Sequence, residues 1–577
     1  MSCAENILSN DTYDLIVASD ETNTPLVPPL CVQRINEQYE IWYYDRNSVP
    51  PLSIGRYSYT SIPKCFSLMD STSLDVSGIL AIQNQPTLSL KGQGVFVGII
   101  DTGIDYANDL FIDGAGNSRI YSIWDQSAVT TVQEQENGIA DSEEEDIARS
   151  PEGFLYGVEY TNEQINRALQ SENPQEIVPE QDTNGHGTFV ASLAAGGEDL
   201  ENDFIGAAPL SELVIVKLKE AKQNLREFFY LSEQETLYQE NDIMAAVAYL
   251  HAVADRENRP IAIYIGLGSN QGSRTGMDPL SFYLNTVGTK RGRAIVLPTG
   301  NEAIARHHFY GMANSTLAPV SVEVNVEEDV DGFCMELWSY APELVRVVVQ
   351  SPTGQRSTGS FPIAEETQTT NFVFENTLLT IDYRIAGRGS GDLLVFFRFS
   401  RPTAGIWTVL VYPQLAITGR FHIWLPIQPQ VGADVTFISS NPDTTITTPS
   451  ASVVPITVGG YDALTGARYI DSGRGFSASG YVKPEFCAPC EEVSGAGLRN
   501  NYVTYTGTSV AAAITTGVAA LCLEWGLLRG NAESMNCVEV KNLLIRGCNR
   551  DENIIYPNPE WGYGKLDVYR AFEVLRK

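Results

Sequence analysis

Histidine is scarce in this sequence, with five residues in 577: His186, His251, His307, His308 and His422. Chemistry that needs a base near neutral pH is therefore confined to a handful of positions. Positive charge is also short, with 38 Lys and Arg against 71 Asp and Glu and a net charge of −33. Such a surface repels nucleic acid and anionic membranes, which excludes both as partners. Nine cysteines, spread thinly from Cys3 to Cys548, do not make the pattern of a disulfide framework and predict a reducing compartment. The one close pair, "CAPC" at 487–490, lacks a second pair or a histidine at ligand spacing, so no metal site is read there. No apolar run approaches the roughly 20 residues of a membrane span, and no membrane insertion is expected. The opening residues, "MSCAENILSNDTYDLIV", lack the basic and apolar segments of a secretory signal, so cytoplasmic synthesis is the expectation.

A hydrophobic content of 43% with 19% charged residues describes a globular chain, long enough for two or three domains. "YDLIV" and "YEIWYY" read as strands of a small N-terminal unit. "VFVGIID", "SELVIVKL", "PIAIYIGLG", "GRAIVLPTGN" and "SVVPITVGG" are nearly continuous apolar strands, the pattern of a parallel sheet buried on both faces. Between them "NDIMAAVAYLHAVADR" reads as a helix with Asn241 as its cap. The class is α/β. Residues 131–180, with "DSEEED" at 141–146, read as an acidic surface insertion. From about 310 to 447 the segments "VSVEVNV", "LVRVVVQS", "LLVFFRFS", "GIWTVLVYP" and "RFHIWLP" predict an inserted all-β sandwich or jelly roll.

Open parallel sheets bind ligands at the carboxyl ends of their strands. Asp101 stands directly after "VFVGII", His186 lies in "DTNGHGTFVAS", and Ser509 lies in "GTSVAAA" at the start of a small-residue helix. Serine at such a place is also a helix cap, a purely structural role. A serine hydroxyl attacks only when a base takes its proton, and an imidazole held by a buried carboxylate is such a base. Asn301, in "LPTGNEA", offers an amide that with the Ser509 N–H can receive an oxyanion. His307 and His308 follow Asn301 closely and are candidates to line the cleft, whereas His251 and His422 fall in helical and strand patterns.

"VGIIDTGID", "GHGTFVAS", "GNE" and "GTSVAAA", in that order, resemble the signature blocks of the subtilisin-like serine proteases. The likeness implies a subtilisin-like parallel sheet flanked by helices and a serine endopeptidase with Asp101, His186 and Ser509 as triad and Asn301 as oxyanion donor. It also implies that Gly266, Leu267 and Gly268 of "IGLGS" bind a protein or peptide substrate by strand addition. "FCAPC" matches a structural turn of the family. Calcium is common among such enzymes, but the sequence places no ligands for it, and no other cofactor is implied. Departures are Phe189 in place of a second histidine, Val510 after the serine, and Ala512, Ala513 and Ile514 where Ser, Pro and His are usual.

"YGVEYTNEQINRAL", "GNEAIARHH" and the β insertion further resemble the clostridial Csp proteases of spore germination. That likeness implies a spore-associated enzyme that activates the zymogen of a cortex-lytic enzyme. It divides the chain into a small α+β prodomain (1–66), a catalytic domain in two parts (67–309 and 448–577) and the insert (310–447). The prodomain is expected to be cut by the enzyme itself near "IPKCFSLMD" and to bind in cis. A silent scaffold that binds a germination partner is the alternative.

Overall fold

The computed structural model describes residues 2–18, 27–68, 77–85, 88–129, 149–232, 235–315, 318–358, 366–386, 390–431 and 434–575. The apolar strands assemble into one eight-stranded sheet. Its order is Phe486–Pro489, Ile456–Tyr461, Arg293–Pro298, Ile261–Ile265, Phe96–Asp101, Glu212–Lys217, Ile120–Asp125 and Val158–Thr161. All neighbours run parallel except the last pair. Phe96–Asp101, Ile261–Ile265 and Arg293–Pro298 are buried at every residue. Burial on both faces is why they read as continuous apolar runs and not as alternations.

The helices that matter for the site are His186–Ala195 and Thr508–Leu523, every residue of which is buried. They approach so closely that a Cβ on Gly517 would stand 2.4 Å from the Ala194 carbonyl oxygen. The second helix continues through a π-helical turn to Leu528. Within these 21 residues lies an 18-residue stretch apolar enough to cross a membrane, contrary to the sequence expectation of no such run. It is 89% buried inside the protein, where a core helix of small residues has the same composition. Helix Glu240–Arg256, with Gln239 at its cap position, begins two residues earlier than predicted. Asn241 is therefore not its cap but lies inside it, buried and donating to Asp14 of the N-terminal unit.

The inserted segment forms two antiparallel sheets. Six strands follow the order His308–Met312, Arg420–Trp424, Gly332–Ser339, Asp392–Ser400, Thr377–Ala386 and Thr367–Phe372, and four follow Leu344–Gln350, Gly405–Leu415, Val320–Val326 and Val435–Phe437. Val322, Val324, Val347, Val409, Trp407, Phe397 and Phe399 share one core between them. The alternating burial of Val320–Val326 and Leu344–Gln350 follows from one face being wet.

The N-terminal unit is a three-stranded antiparallel sheet, Thr12–Ala18, Tyr39–Asp45 and Cys31–Arg34, beside helix Cys3–Leu8. Cys3 and Cys31 form a disulfide with Cα atoms 5.7 Å apart, against the expectation of a chain without one. The other seven cysteines are free and buried. Cys487 lies within strand Phe486–Pro489 at the edge of the central sheet, with Cys490 just beyond it, so this segment is a strand and not the predicted turn. The stretch read as an acidic insertion divides in two. "DSEEED" lies outside the described residues, whereas Val158–Thr161 is the sheet's last strand and Asn162–Gln170 a helix with a Thr161–Gln164 capping box.

Candidate active site

Asp101 ends its strand fully buried, and both of its oxygens face His186 Nδ1, at 2.8 and 2.9 Å. An ionised carboxylate only accepts, so the proton sits on Nδ1. Nε2 is then the acceptor, 3.3 Å from Ser509 Oγ. All three side chains lie at the strand and helix ends expected of an open sheet. His186 is 2% exposed and Ser509 0%.

The tight turn into the histidine helix has a specific cause. A Cβ on Gly187 would come within 2.2 Å of the Gly103 carbonyl oxygen, so only glycine lets the "GHG" and "DTG" backbones meet. Two supporting residues escaped the sequence reading. Asp182 Oδ1 accepts from Asn184 N, Gly185 N and Thr102 Oγ1 at 3.1, 2.8 and 2.8 Å, and its Oδ2 accepts from Thr188 N and Oγ1 at 2.9 and 2.7 Å. It gathers N–H groups of the loop before the helix together with Thr188 N of its first turn, while Gly185 holds the cap position, so no local cap pattern in the sequence points to it. Thr102 joins the two loops, accepting from Gly187 N at 2.9 Å.

Ser509 does not cap its helix. The helix begins at Thr508, with Gly507 at the cap position. Thr508 instead holds Asn301: its N–H and hydroxyl donate to Asn301 Oδ1 at 3.2 and 3.1 Å, and its hydroxyl accepts from Gly300 N at 3.1 Å. With the amide oxygen engaged, the Asn301 nitrogen keeps its two hydrogens for another acceptor.

His307 and His308 do not join this group. His307 Nδ1 pairs with Glu302 Oε2 at 3.0 Å, and His308 Nε2 pairs with His422 Nδ1 at 2.9 Å. His308 and His422 stack on Trp424 of the insert. These histidines tie the loop after Asn301 to the insert. Phe189, where the family has a histidine, is buried with its ring 4.7 Å from that of Tyr505.

Leu267 and Gly268 form a short strand, and Gly266 precedes it. Its partner is Cys65–Leu68, at the end of the N-terminal unit, paired antiparallel with Leu267 opposite Leu68 and Gly268 opposite Ser67. On its other side Cys65–Leu68 pairs with Tyr238–Gln239, so it lies as the middle strand of three.

Residues 92–330 and 431–564, more than half of the chain, match the model of the subtilase family, Peptidase S8. The gap between the two matched parts falls in the insert. The CspB protease of Clostridium perfringens is similar in structure, at 28% identity and a TM-score of 0.75, over 87% of this chain and 97% of that one. MycP1 with its N-terminal propeptide removed aligns at 14% identity and a TM-score of 0.38, over 86% and 96%. No curated protein matches at a significant level. The Asp–His–Ser arrangement at the strand and helix ends and the family match over both halves of the central sheet agree: the chain belongs to the subtilase family and is a subtilisin-like serine protease.

Proposed function

We propose that Ser509 attacks the scissile carbonyl while His186 takes its proton and passes it to the leaving amine. Asp101 holds the imidazole tautomer and offsets the imidazolium charge, and the Asn301 amide with the Ser509 N–H receives the oxyanion. The first substrate is the chain itself. Cys65–Leu68 lies between Leu267–Gly268 and Tyr238–Gln239 as an added strand, the way a peptide binds a sheet edge, and this observation carries the reading. The self-cleaved bond lies C-terminal to Leu68, and the N-terminal unit is the prodomain, bound in cis. In trans, the enzyme activates a protein zymogen by limited proteolysis. The full-length likeness to CspB supports a spore-associated cortex-lytic zymogen as that target.

Replacing Ser509 by Ala in the full chain is expected to abolish both release of the N-terminal fragment and labelling by a fluorophosphonate. Release of the same fragment from the purified variant would refute self-processing. Failure of the folded wild-type protein to label would refute Ser509 as the nucleophile.

A further inference from the structure

We propose that Glu240 selects a basic side chain in the polypeptide entering the cleft, at the place that Lys64 fills. The proposal rests on the reading of Cys65–Leu68 as the substrate strand. Strand register is its foundation. Cys65 stands opposite Gln239 and Phe66 opposite Tyr238. The ladder continues for one more residue, because Glu240 N donates to the Lys64 carbonyl oxygen at 2.9 Å. Lys64 and Glu240 are thus directly opposed, on the same face of an antiparallel pair, where side chains meet.

They do meet. Lys64 Nζ is 3.5 Å from Glu240 Oε2, with side chains 2% and 1% exposed. The same oxygen accepts from Lys64 N at 3.3 Å. A second carboxylate lies close enough to feel the ammonium. Burial pushes the Glu240 and Asp278 carboxyls up, and the Lys64 charge draws both back. Asp278 Oδ2 is buried without a hydrogen-bond partner. The pocket is acidic and buried, with Lys64 as the cation beside Glu240 while the Arg274 charge also draws the Asp278 carboxyl down, and a buried carboxylate that loses its counter-ion is strongly destabilised.

The neighbouring contacts read backbone alone. Gln271 Oε1 accepts from Cys65 N at 3.0 Å, and Gln430 Nε2, from a helix following the insert's last long strand, donates to the Cys65 carbonyl oxygen at 3.1 Å. Any residue but proline at that place can make these bonds, and they hold an incoming strand in the register of Cys65. Glu240 then tests the side chain one place earlier. Lysine or arginine supplies its counter-charge, a neutral residue leaves it with backbone N–H donors alone, and an acidic one adds a third carboxylate. Phe66, fully buried, marks the need for a large apolar side chain two places on. The substrate class is a protein with an accessible basic-x-apolar segment on the N-terminal side of its cut.

Internally quenched peptides with the sequence of residues 60–73 test this on the self-processed wild-type enzyme after the cut N-terminal fragment has been stripped from it, with lysine, norleucine or glutamate at the position of Lys64. The lysine peptide is expected to exceed the norleucine peptide in kcat/KM by about tenfold or more, and the glutamate peptide by a wider margin. In E240Q the lysine-to-norleucine ratio is expected to fall to about two. Equal rates for lysine and norleucine peptides cut at the same bond by the wild-type enzyme would overturn the proposal. That comparison needs no variant, so it decides even if E240Q fails to fold. Cleavage only at bonds N-terminal to the Leu68 position would instead remove the substrate-strand reading, and the proposal with it.

Discussion

Lys222 Nζ lies 2.5 Å from Asp14 Oδ1, joining the catalytic unit to the N-terminal sheet with both side chains almost wholly buried. Gln239 and Asn241 donate to the other Asp14 oxygen at 2.8 and 3.3 Å, and Lys222 also donates to Thr12 Oγ1 at 2.7 Å. Burial depresses the Lys222 pKa and the Asp14 charge supports it. Breaking one side of such a pair leaves a bare buried charge. Lys222→Met is expected to lower the free energy of unfolding by about 3–5 kcal/mol, measured in urea, and to release the N-terminal fragment after processing. Adding Asp14→Asn should recover part of the loss, because the orphaned charge is gone. A Lys222→Met protein as stable as the wild type would show that the network does not hold the unit.

Asn301 offers a second test. Asn301→Ala is expected to reduce kcat by about 10²–10³ with little change in KM, since an oxyanion donor acts on the transition state. Thr508→Val removes the hydroxyl that positions the amide but leaves the Thr508 N–H bond. Its effect on kcat should be smaller and in the same direction. Steady-state kinetics on a quenched peptide separates the two variants.

Asp182 touches no reacting atom yet accepts five hydrogen bonds at the start of the histidine helix. Asp182→Ala is expected to lose about 1–3 kcal/mol of stability for each donor left buried and unpaired. Activity should fall through kcat, because Thr102 and Gly187 no longer hold Asp101 and His186 in register. A variant with full kcat would make the role of Asp182 purely structural.

The histidines of the insert predict a pH dependence. The Asn441 carbonyl faces His308 Nδ1 at 3.1 Å and can only accept, so His308 Nε2 accepts from His422 Nδ1, and both rings are neutral. Burial holds His308 well below the usual histidine range, helped by His422, and holds His422 down to about 3, helped by Arg420 and Arg274. Below about pH 6.5 the unfolded chain binds protons on these residues and the folded chain does not. Their contribution to stability therefore falls as pH drops from 6.5 toward 3, by up to about 1.4 kcal/mol per unit for each histidine. His422→Asn, which removes one of the two, should flatten the fall in urea midpoint between pH 7 and pH 5. An unchanged slope would contradict the assignment.

The sequence shows the site more fully than its supports. Asp101, His186, Asn301 and Ser509 each stand in a local pattern that chemistry explains, and the continuous apolar strands announce a sheet buried on both faces. Contacts between distant segments leave no such trace. Asn241 looks like a cap because caps are local, but its partner Asp14 lies on the N-terminal sheet, and burial against that sheet decides its role. His307 and His308 look like cleft residues because they follow Asn301, yet Glu302 and His422 claim them. The Cys3–Cys31 disulfide is hidden for the same reason, since a single pair has no spacing pattern to reveal it. Lys64 and Glu240 have meaning only through register, which no composition encodes.

The contact between Gly517 and Ala194 reaches further than packing. Ser509 lies eight residues before Gly517, and His186 lies eight residues before Ala194, each about 12 Å from the contact along its own helix. The nucleophile and the base are therefore gauged from a common fixed point by equal spans. A methyl group at residue 517 would wedge the helices apart while both ends stayed locally intact. Gly517→Ala would thus detune the reaction from two helical turns away, by altering alignment and no chemical group.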